Sequence, residues 1–389
     1  MPEKKILFAA TVAKKHICQF HLQYLKWFAD RGYEVHVCAA DDFEVGDDHV
    51  VPYCSRFFNI PFSRSPFSPK NADAYRRLRK IINENSYELI CCHTPVAAAV
   101  VRLAAARSGR NGTKVLYTAH GFHFFKGAPA VSIIYKLAET FLCRFTDGII
   151  TVNHEDLAAA VKMCRGTKCR PYLIHGIGAA VEDIINTPDV RSLMRRQLGI
   201  PEGAFAVMTT AEINRNKNIT SGIRAFAAAA ENGGDMYYII CGSGDMLEQC
   251  RELALELGIS DRVIFTGYRH DVPQLLRAAD VFLFPSYREG LGIAAVEAMA
   301  AGLPLVASDI RGVREYAVSG ENSLLYAPDD IQGFADAISL LERDDELRRR
   351  LGENAVRAAL PFDIHNSVEE MAEIYRQFAD IPEPERVAL

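Results

Sequence analysis

The stretch FPSYREGLGIAAVEAMAAGLP, residues 284–304, puts Glu289 on a glycine turn and Glu297 eight positions later in an apolar helix. Eight helical steps amount to about 12 Å of rise and about 80° of rotation around the axis. Carboxylates so placed cannot share one proton or flank one bond as a close acid/base pair. They are positioned to hold two ends of an elongated ligand. Between them the helix mouth near Leu291 offers unpaired amides and the positive end of a dipole, a ready diphosphate site. Glu297 is the harder residue to place, because a carboxylate among small apolar residues costs several kcal/mol if unpaired. It calls for a hydroxyl-bearing ligand or a basic partner.

Outward from this stretch the pattern is strand, helix, strand. DVFLFPS precedes it and LPLVASD follows it. The same alternation runs through KILFAAT, YEVHVCAA, YELICCH, KVLYTAH and GIITVN, then restarts after PYLIHGIGAAVED with FAVMTTAEI, MYYIICGSG and RVIFTGY. Alternating strands and helices predict parallel sheets with crossover helices. The α/β chain therefore divides into two doubly wound parallel-sheet domains, 1–180 and 181–362, with a final amphipathic helix (NSVEEMAEIYRQFAD) and tail over 363–389. The helix is expected to pack on the first domain, and the tail beyond IPEPE to be frayed. Ligands of such sheets bind at the carboxyl ends of the strands, so the default site is a central cleft between the two domains.

The 389 residues suit two domains, and 49% hydrophobic with 24% charged residues is ordinary for a protein with large cores. No apolar run is long enough to span a membrane. The ten cysteines include no Cys-x-x-Cys pair and read as buried free thiols of a reducing cytosol. Charge is unevenly divided: residues 1–180 carry 24 Lys and Arg against 15 acids, residues 181–389 carry 20 against 34. Seven of those bases (Arg56, Arg64, Lys70, Arg76, Arg77, Arg79 and Lys80) fall within 25 residues, a basic face suited to an anionic membrane or substrate.

The first strand's loop, TVAKKHICQF, has no glycine and so no dinucleotide fingerprint. The second half does have glycine loops at strand ends: CGSGDM with Gly242 and Gly244, and the turn with Gly290 and Gly292. Glycine permits close approach of backbone and ligand.

The blocks PSYREGLGIAAVEAMAAGLPLVASDIRGVRE, FTGYRHDVPQLLRAADVFLFPS and ENSLLYAPDD resemble the family-4 retaining glycosyltransferases. The N-terminal stretches PFSRSPFSPKNADAYRRLRKII, CHTPVAAAVVRLAA and YTAHGFHFFKGAP are similar to a bacterial subgroup that builds capsules and exopolysaccharides. The resemblance implies the GT-B fold, two facing Rossmann-like domains, and transfer of a sugar from a nucleotide-sugar, UDP-linked by expectation, to a lipid-linked saccharide. Glu297 would bind the ribose hydroxyls and Glu289 the transferred sugar, with Gly290, Leu291 and Gly292 at the diphosphate. Lys217, with Arg215 beside it, would neutralise the leaving diphosphate. His120 would face the sugar from the other domain, and His16 and His123 would lie on the acceptor side. The resemblance implies no metal, no other cofactor and no nucleic-acid partner, and places the protein in the cytoplasm, peripheral on the inner face of an anionic membrane.

The chain departs from the family pattern at Glu212, where arginine is frequent, in its glycine-free first loop, and at Ala180, where aspartate is frequent. Two rival readings are a UDP-sugar 2-epimerase on the same fold and a non-catalytic sugar-nucleotide-binding subunit.

Overall fold

Strands such as KILFAATV are apolar without alternation, the composition of a strand covered on both faces by crossover helices. Accordingly, Ile6 to Ala10 are fully buried. The computed structural model describes residues 4–106, 112–125, 127–231 and 233–382, and these form two units, each with its own sheet. The tail beyond IPEPE lies outside the described residues.

The first unit runs to Gly178 and takes in the chain again from Ile364. Its strands are β1 (Lys5–Val12), β2 (Glu34–Ala40), β3 (Arg56–Asn59), β4 (Tyr87–His93), β5 (Lys114–Ala119), β6 (Gly148–Thr151) and β7 (Arg170–Leu173). They lie in the order β3-β2-β1-β4-β5-β6-β7, every pair parallel. The second unit, Ala179–Asp363, holds β8 (Phe205–Thr210), β9 (Met236–Cys241), β10 (Val263–Gly267), β11 (Val281–Phe284), β12 (Leu305–Ser308) and β13 (Ser323–Tyr326). Their order is β10-β9-β8-β11-β12-β13, again all parallel. Strand order reverses between β1 and β4 and between β8 and β11, and these reversals are where doubly wound sheets bind ligands.

The last helix, Ile364–Arg376, belongs to the first unit. Its Tyr375 ring lies 4.8 Å from Phe28 and 5.9 Å from Trp27, and Glu370 holds His175 at 2.5 Å. The chain returns where it left, since a Cβ on Gly178 would stand 2.6 Å from the Ile364 Cα.

The basic stretch is partly β3 and partly a helix, Lys70–Glu84, whose buried face is Asn71, Ala74, Leu78 and Ile82. Arg76, Arg77, Arg79 and Lys80 project from its exposed face. A second feature of this unit has no counterpart in the sequence reading. Helix Ile133–Leu142 buries only Glu139 and Leu142 and leaves Ile133, Ile134, Tyr135, Leu137 and Phe141 exposed. It is tied down by Glu139, which Arg102 grips with two bonds of 2.8 and 3.0 Å. The cysteines are free thiols, yet they are less scattered than their spacing suggests: the sulfurs of Cys143, Cys164 and Cys169 meet within 4.8 Å in the core. Among the described residues no helix is long and apolar enough to cross a membrane.

Candidate functional site

In the second unit two loops meet at the sheet's reversal point. The loop after β8 turns through Arg215–Lys217 and reaches a left-handed residue, Asn218 (φ 55°), before helix Ile219–Glu231. Asn214 caps the turn by accepting from the Lys217 amide. The loop after β11 carries Tyr287, Arg288 and Glu289. Asparagines stitch the two together: the Asn216 side chain donates to the Arg288 carbonyl at 2.8 Å, and the main-chain carbonyl of Asn216 accepts from the Tyr287 amide at 2.8 Å. Asn218 donates to the Pro285 and Pro328 carbonyls at 3.0 and 2.9 Å. This stitching aims Lys217 Nζ at Glu289 Oε1, 2.6 Å away, with both side chains largely but not wholly buried. Lys217 also stands 5.5 Å from the Phe284 ring centre.

Helix Ile293–Ala300 begins at Gly292, whose φ of 93° a side chain would strain, and where a Cβ would come within 2.9 Å of the Tyr316 hydroxyl. That hydroxyl donates to the Leu291 carbonyl at 3.0 Å, fixing the turn. Residues 289–292 are not helical, so the helix covers only the last half of the eight steps expected between the two glutamates. Just over one turn into it, Glu297 is half-buried and has no hydrogen-bonding or charged side-chain partner among the described residues. Burial pushes its carboxyl up to about 7. The basic partner that its sequence context allowed is absent among those residues; a ligand's hydroxyls are the alternative.

Gly242 and Gly244 make a close backbone packing contact. A Cβ on Gly242 would lie 1.8 Å from the Ala211 carbonyl oxygen, and one on Gly244 would lie 2.2 Å from that of Ile213. Their missing side chains let the β9 loop pack against the loop that carries Lys217, so they shape the site from behind. Arg215 is exposed, and Glu212 accepts from Asn214 at 3.0 Å. Arg311, which sequence reasoning passed over, is buried with its Nε 3.5 Å from the Glu289 carbonyl. It follows β12 in SDIRGVRE, and that strand-end position was the available signal.

In the first unit the reversal point holds histidines. His16 lies on a π-helical turn directly after β1, a form that often marks functional sites. His21 precedes helix Leu22–Ala29, His93 ends β4, and His120 follows β5. Their rings cluster: His21 and His93 are 3.8 Å apart by centroid, His16 and His120 5.2 Å, His21 and His120 5.5 Å. Desolvation holds His16 down to about 3 and His120 to about 4, and drives His21 and His93 well below the usual imidazole range. Beside His93, Thr94 has φ 62°, a strained value for a β-branched residue. Its hydroxyl pairs with that of Thr11 at 2.7 Å. His123 has its ring 5.4 Å from Tyr135 instead. His21 and His93 escaped sequence reasoning because nothing local distinguishes them.

Two family descriptions cover these units: Glycosyltransferase Family 4 matches residues 21–176 and Glycosyl transferases group 1 matches 190–358. Along its whole length the chain is similar to the provisionally named glycosyltransferase EpsD of Bacillus subtilis (strain 168), 41% identical over 98% of this chain and 99% of that one. The chain belongs to the family-4 glycosyltransferases. The chain is also similar to the UDP-Gal:alpha-D-GlcNAc-diphosphoundecaprenol alpha-1,3-galactosyltransferase of Escherichia coli, 25% identical over 84% of this chain and 85% of that one. Among solved structures, Anabaena HepE in complex with UDP shares the GT-B fold, with a TM-score of 0.75 at 22% identity over 96% of this chain and 100% of that chain.

Proposed function

We propose that this family-4 glycosyltransferase moves a sugar from a UDP-linked donor to a hydroxyl of a lipid-linked saccharide, with retention of anomeric configuration, in surface-polysaccharide assembly. The Lys217–Glu289 pair at the β8/β11 reversal, with the unpartnered Glu297 eight residues on in the helix that follows, carries the reading. In it, Glu297 accepts from the ribose hydroxyls, and the backbone of Gly290, Leu291 and Gly292 lies along the diphosphate. Glu289 takes hydroxyls of the transferred sugar, while Lys217 meets the diphosphate.

The bond from the anomeric carbon to the diphosphate oxygen breaks, and negative charge gathers on that oxygen. Lys217 and the helix amides stabilise it, the kind of preorganised electrostatics that lowers such barriers most. The acceptor oxygen bonds to the carbon on the same face, and its proton passes to the departing phosphate. The family resemblance assigns His120 to the sugar and His16 to the acceptor side. No metal takes part in the transfer step, because these groups already supply the positive charge.

A lipid-linked acceptor requires work at a membrane surface, and the first unit offers two features for it. Helix Ile133–Leu142 has an apolar face available for the acyl boundary, and Arg76, Arg77, Arg79 and Lys80 suit anionic headgroups. The protein is then peripheral on the cytoplasmic face. The named activity of the E. coli relative and the UDP held by HepE support the same donor and acceptor classes.

The test is a donor panel assayed for UDP release with and without undecaprenyl-diphosphate-linked saccharides. Acceptor-dependent release from one UDP-sugar is expected. Formation of a 2-epimer without acceptor, or no turnover of any donor, would sink the proposal.

A further inference from the structure

The histidine cluster holds more imidazole than a family-4 glycosyltransferase reading needs. Four rings converge at the carboxyl ends of β1, β4 and β5, although the residues span positions 16 to 120. His16 Nε2 and His21 Nε2 lie 3.3 Å apart. A hydrogen bond between them accounts for two nitrogens only. His21 Nδ1, both ring nitrogens of His93 and His120 Nε2 are buried with no hydrogen-bond partner among the described residues. Buried polar atoms without partners are rare in native proteins, and each calls for a physical cause such as a bound ion.

We infer that His16, His21 and His120 form a binding site for a borderline transition-metal cation such as Zn²⁺. The geometry supports it. Two ligands at a zinc–nitrogen distance of about 2.0–2.1 Å in tetrahedral arrangement lie roughly 3.3–3.4 Å apart, the separation found between His16 and His21. One nitrogen from each of the three residues falls within 4.8 Å of the others, so a ring rotation at His120 closes the set. The donors are all imidazole, with no carboxylate, which favours Zn²⁺, Co²⁺, Ni²⁺ or Cu²⁺ over Mg²⁺ or Ca²⁺. Three histidines leave a fourth position open, and the half-exposed His16 and His120 mark the side from which an ion and a water enter. His93 packs against His21 at 3.8 Å between ring centres, with the planes tilted by 31°, and limits how that ring can turn. Arg64 acts on His16 as a like charge and works against a cation there.

The metal takes no part in the transfer step, although its site shares His16 and His120 with the proposed function, and its binding is measured without any glycosyl donor. Full-length protein with no affinity tag is stripped by a chelator and titrated with Co²⁺. The expected result is an intense tetrahedral visible band that saturates at one equivalent and is abolished by one equivalent of Zn²⁺. His16→Ala and His120→Ala should each weaken binding by more than the roughly 10–100-fold that loss of an outer-shell partner costs. His49→Ala, at an exposed histidine of the same unit, should leave binding unchanged. A weak octahedral spectrum or uptake below one equivalent by the wild type overturns the site whatever the variants do. Wild-type affinity in folded His16→Ala and His120→Ala, judged by cooperative thermal unfolding, also overturns it, as does loss of the band in His49→Ala.

Discussion

Lys217 Nζ and Glu289 Oε1 are 2.6 Å apart although 72 positions separate the residues in the chain. The charge proposed for the diphosphate and the carboxylate proposed for the sugar therefore form one ion pair before any donor arrives. Glu289 keeps Lys217 aimed, and the donor has to share that lysine.

Removing Glu289 should accordingly separate binding from turnover. In Glu289→Ala the lysine loses the carboxylate that competes with phosphate, so UDP affinity is retained or raised. Turnover falls, by the roughly 10- to 150-fold that a charged hydrogen bond of about 1.5–3 kcal/mol represents. Isothermal titration with UDP beside steady-state kinetics checks this. Loss of UDP binding in this variant would reverse the proposed orientation of the donor.

Glu297 gives a pH signature. Its folded carboxyl is raised from 4.5 to about 7, so the folded state holds a proton that the unfolded chain has already released. Its contribution to stability is full below about pH 4.5 and is lost as pH rises through about 7. Glu297→Gln should therefore unfold at a higher temperature than wild type at pH 8, with the gap closing in acid. UDP affinity of the wild type should rise across pH 7 as the carboxylate forms, and that slope should disappear in Glu297→Gln. Glu297→Ala should lose roughly 10- to 150-fold in UDP affinity. A flat wild-type profile contradicts the ribose assignment.

Gly244→Ala places a methyl group against the Ile213 carbonyl, 2.2 Å away. Overpacking of this kind costs about 1–3 kcal/mol, and here it also displaces the loop that aims Lys217. Both melting temperature and turnover should fall. An unchanged melting temperature would mean that the two loops do not pack as described.

Membrane attachment should divide into two components. Leu137→Ser and Phe141→Ser remove apolar contacts worth about 1.5–3 kcal/mol each when fully buried, and the resulting loss of liposome sedimentation should persist in high salt. Arg76, Arg77 and Arg79 changed to Gln remove about 1 kcal/mol apiece, a loss visible only at low ionic strength. Sedimentation equal to wild type in both sets would exclude this face as the docking surface.

Turnover should survive excess EDTA, because Lys217 and backbone amides meet the phosphate charge. Added Zn²⁺ should instead inhibit, by drawing His120 into the metal site. EDTA inactivation reversed by Mg²⁺ or Mn²⁺ would refute the metal-free transfer step.

Much of the architecture was legible from local signals, and the exceptions have a common cause. Strands such as β1 and β11 are buried on both faces and appear as apolar runs. β3 and β7 are edge strands with exposed or half-exposed residues, so RFFN and RPYL lack that signature. Glu289, Glu297 and the glycine turn were visible because they fall within one short stretch. The stitching by Asn216 and Asn218, the packing contacts of Gly242 and Gly244, and the gathering of His16, His21, His93 and His120 depend on which strands each sheet makes neighbours. Local sequence carries none of that information.

The return of the chain at Ile364 makes the second unit a guest within a host. Residues 179–363 are one uninterrupted insert, whereas the host is encoded in two pieces whose cut ends already touch at Gly178 and Ile364. A stop codon anywhere before the last helix therefore does more than shorten the protein: it uncovers Trp27 and Phe28, far upstream in the gene. Recombination that exchanges the insert as a single cassette leaves the host's aromatic seam untouched. The two halves of the enzyme can thus be reshuffled in one direction, guest for guest, far more readily than by trading N-terminal for C-terminal fragments.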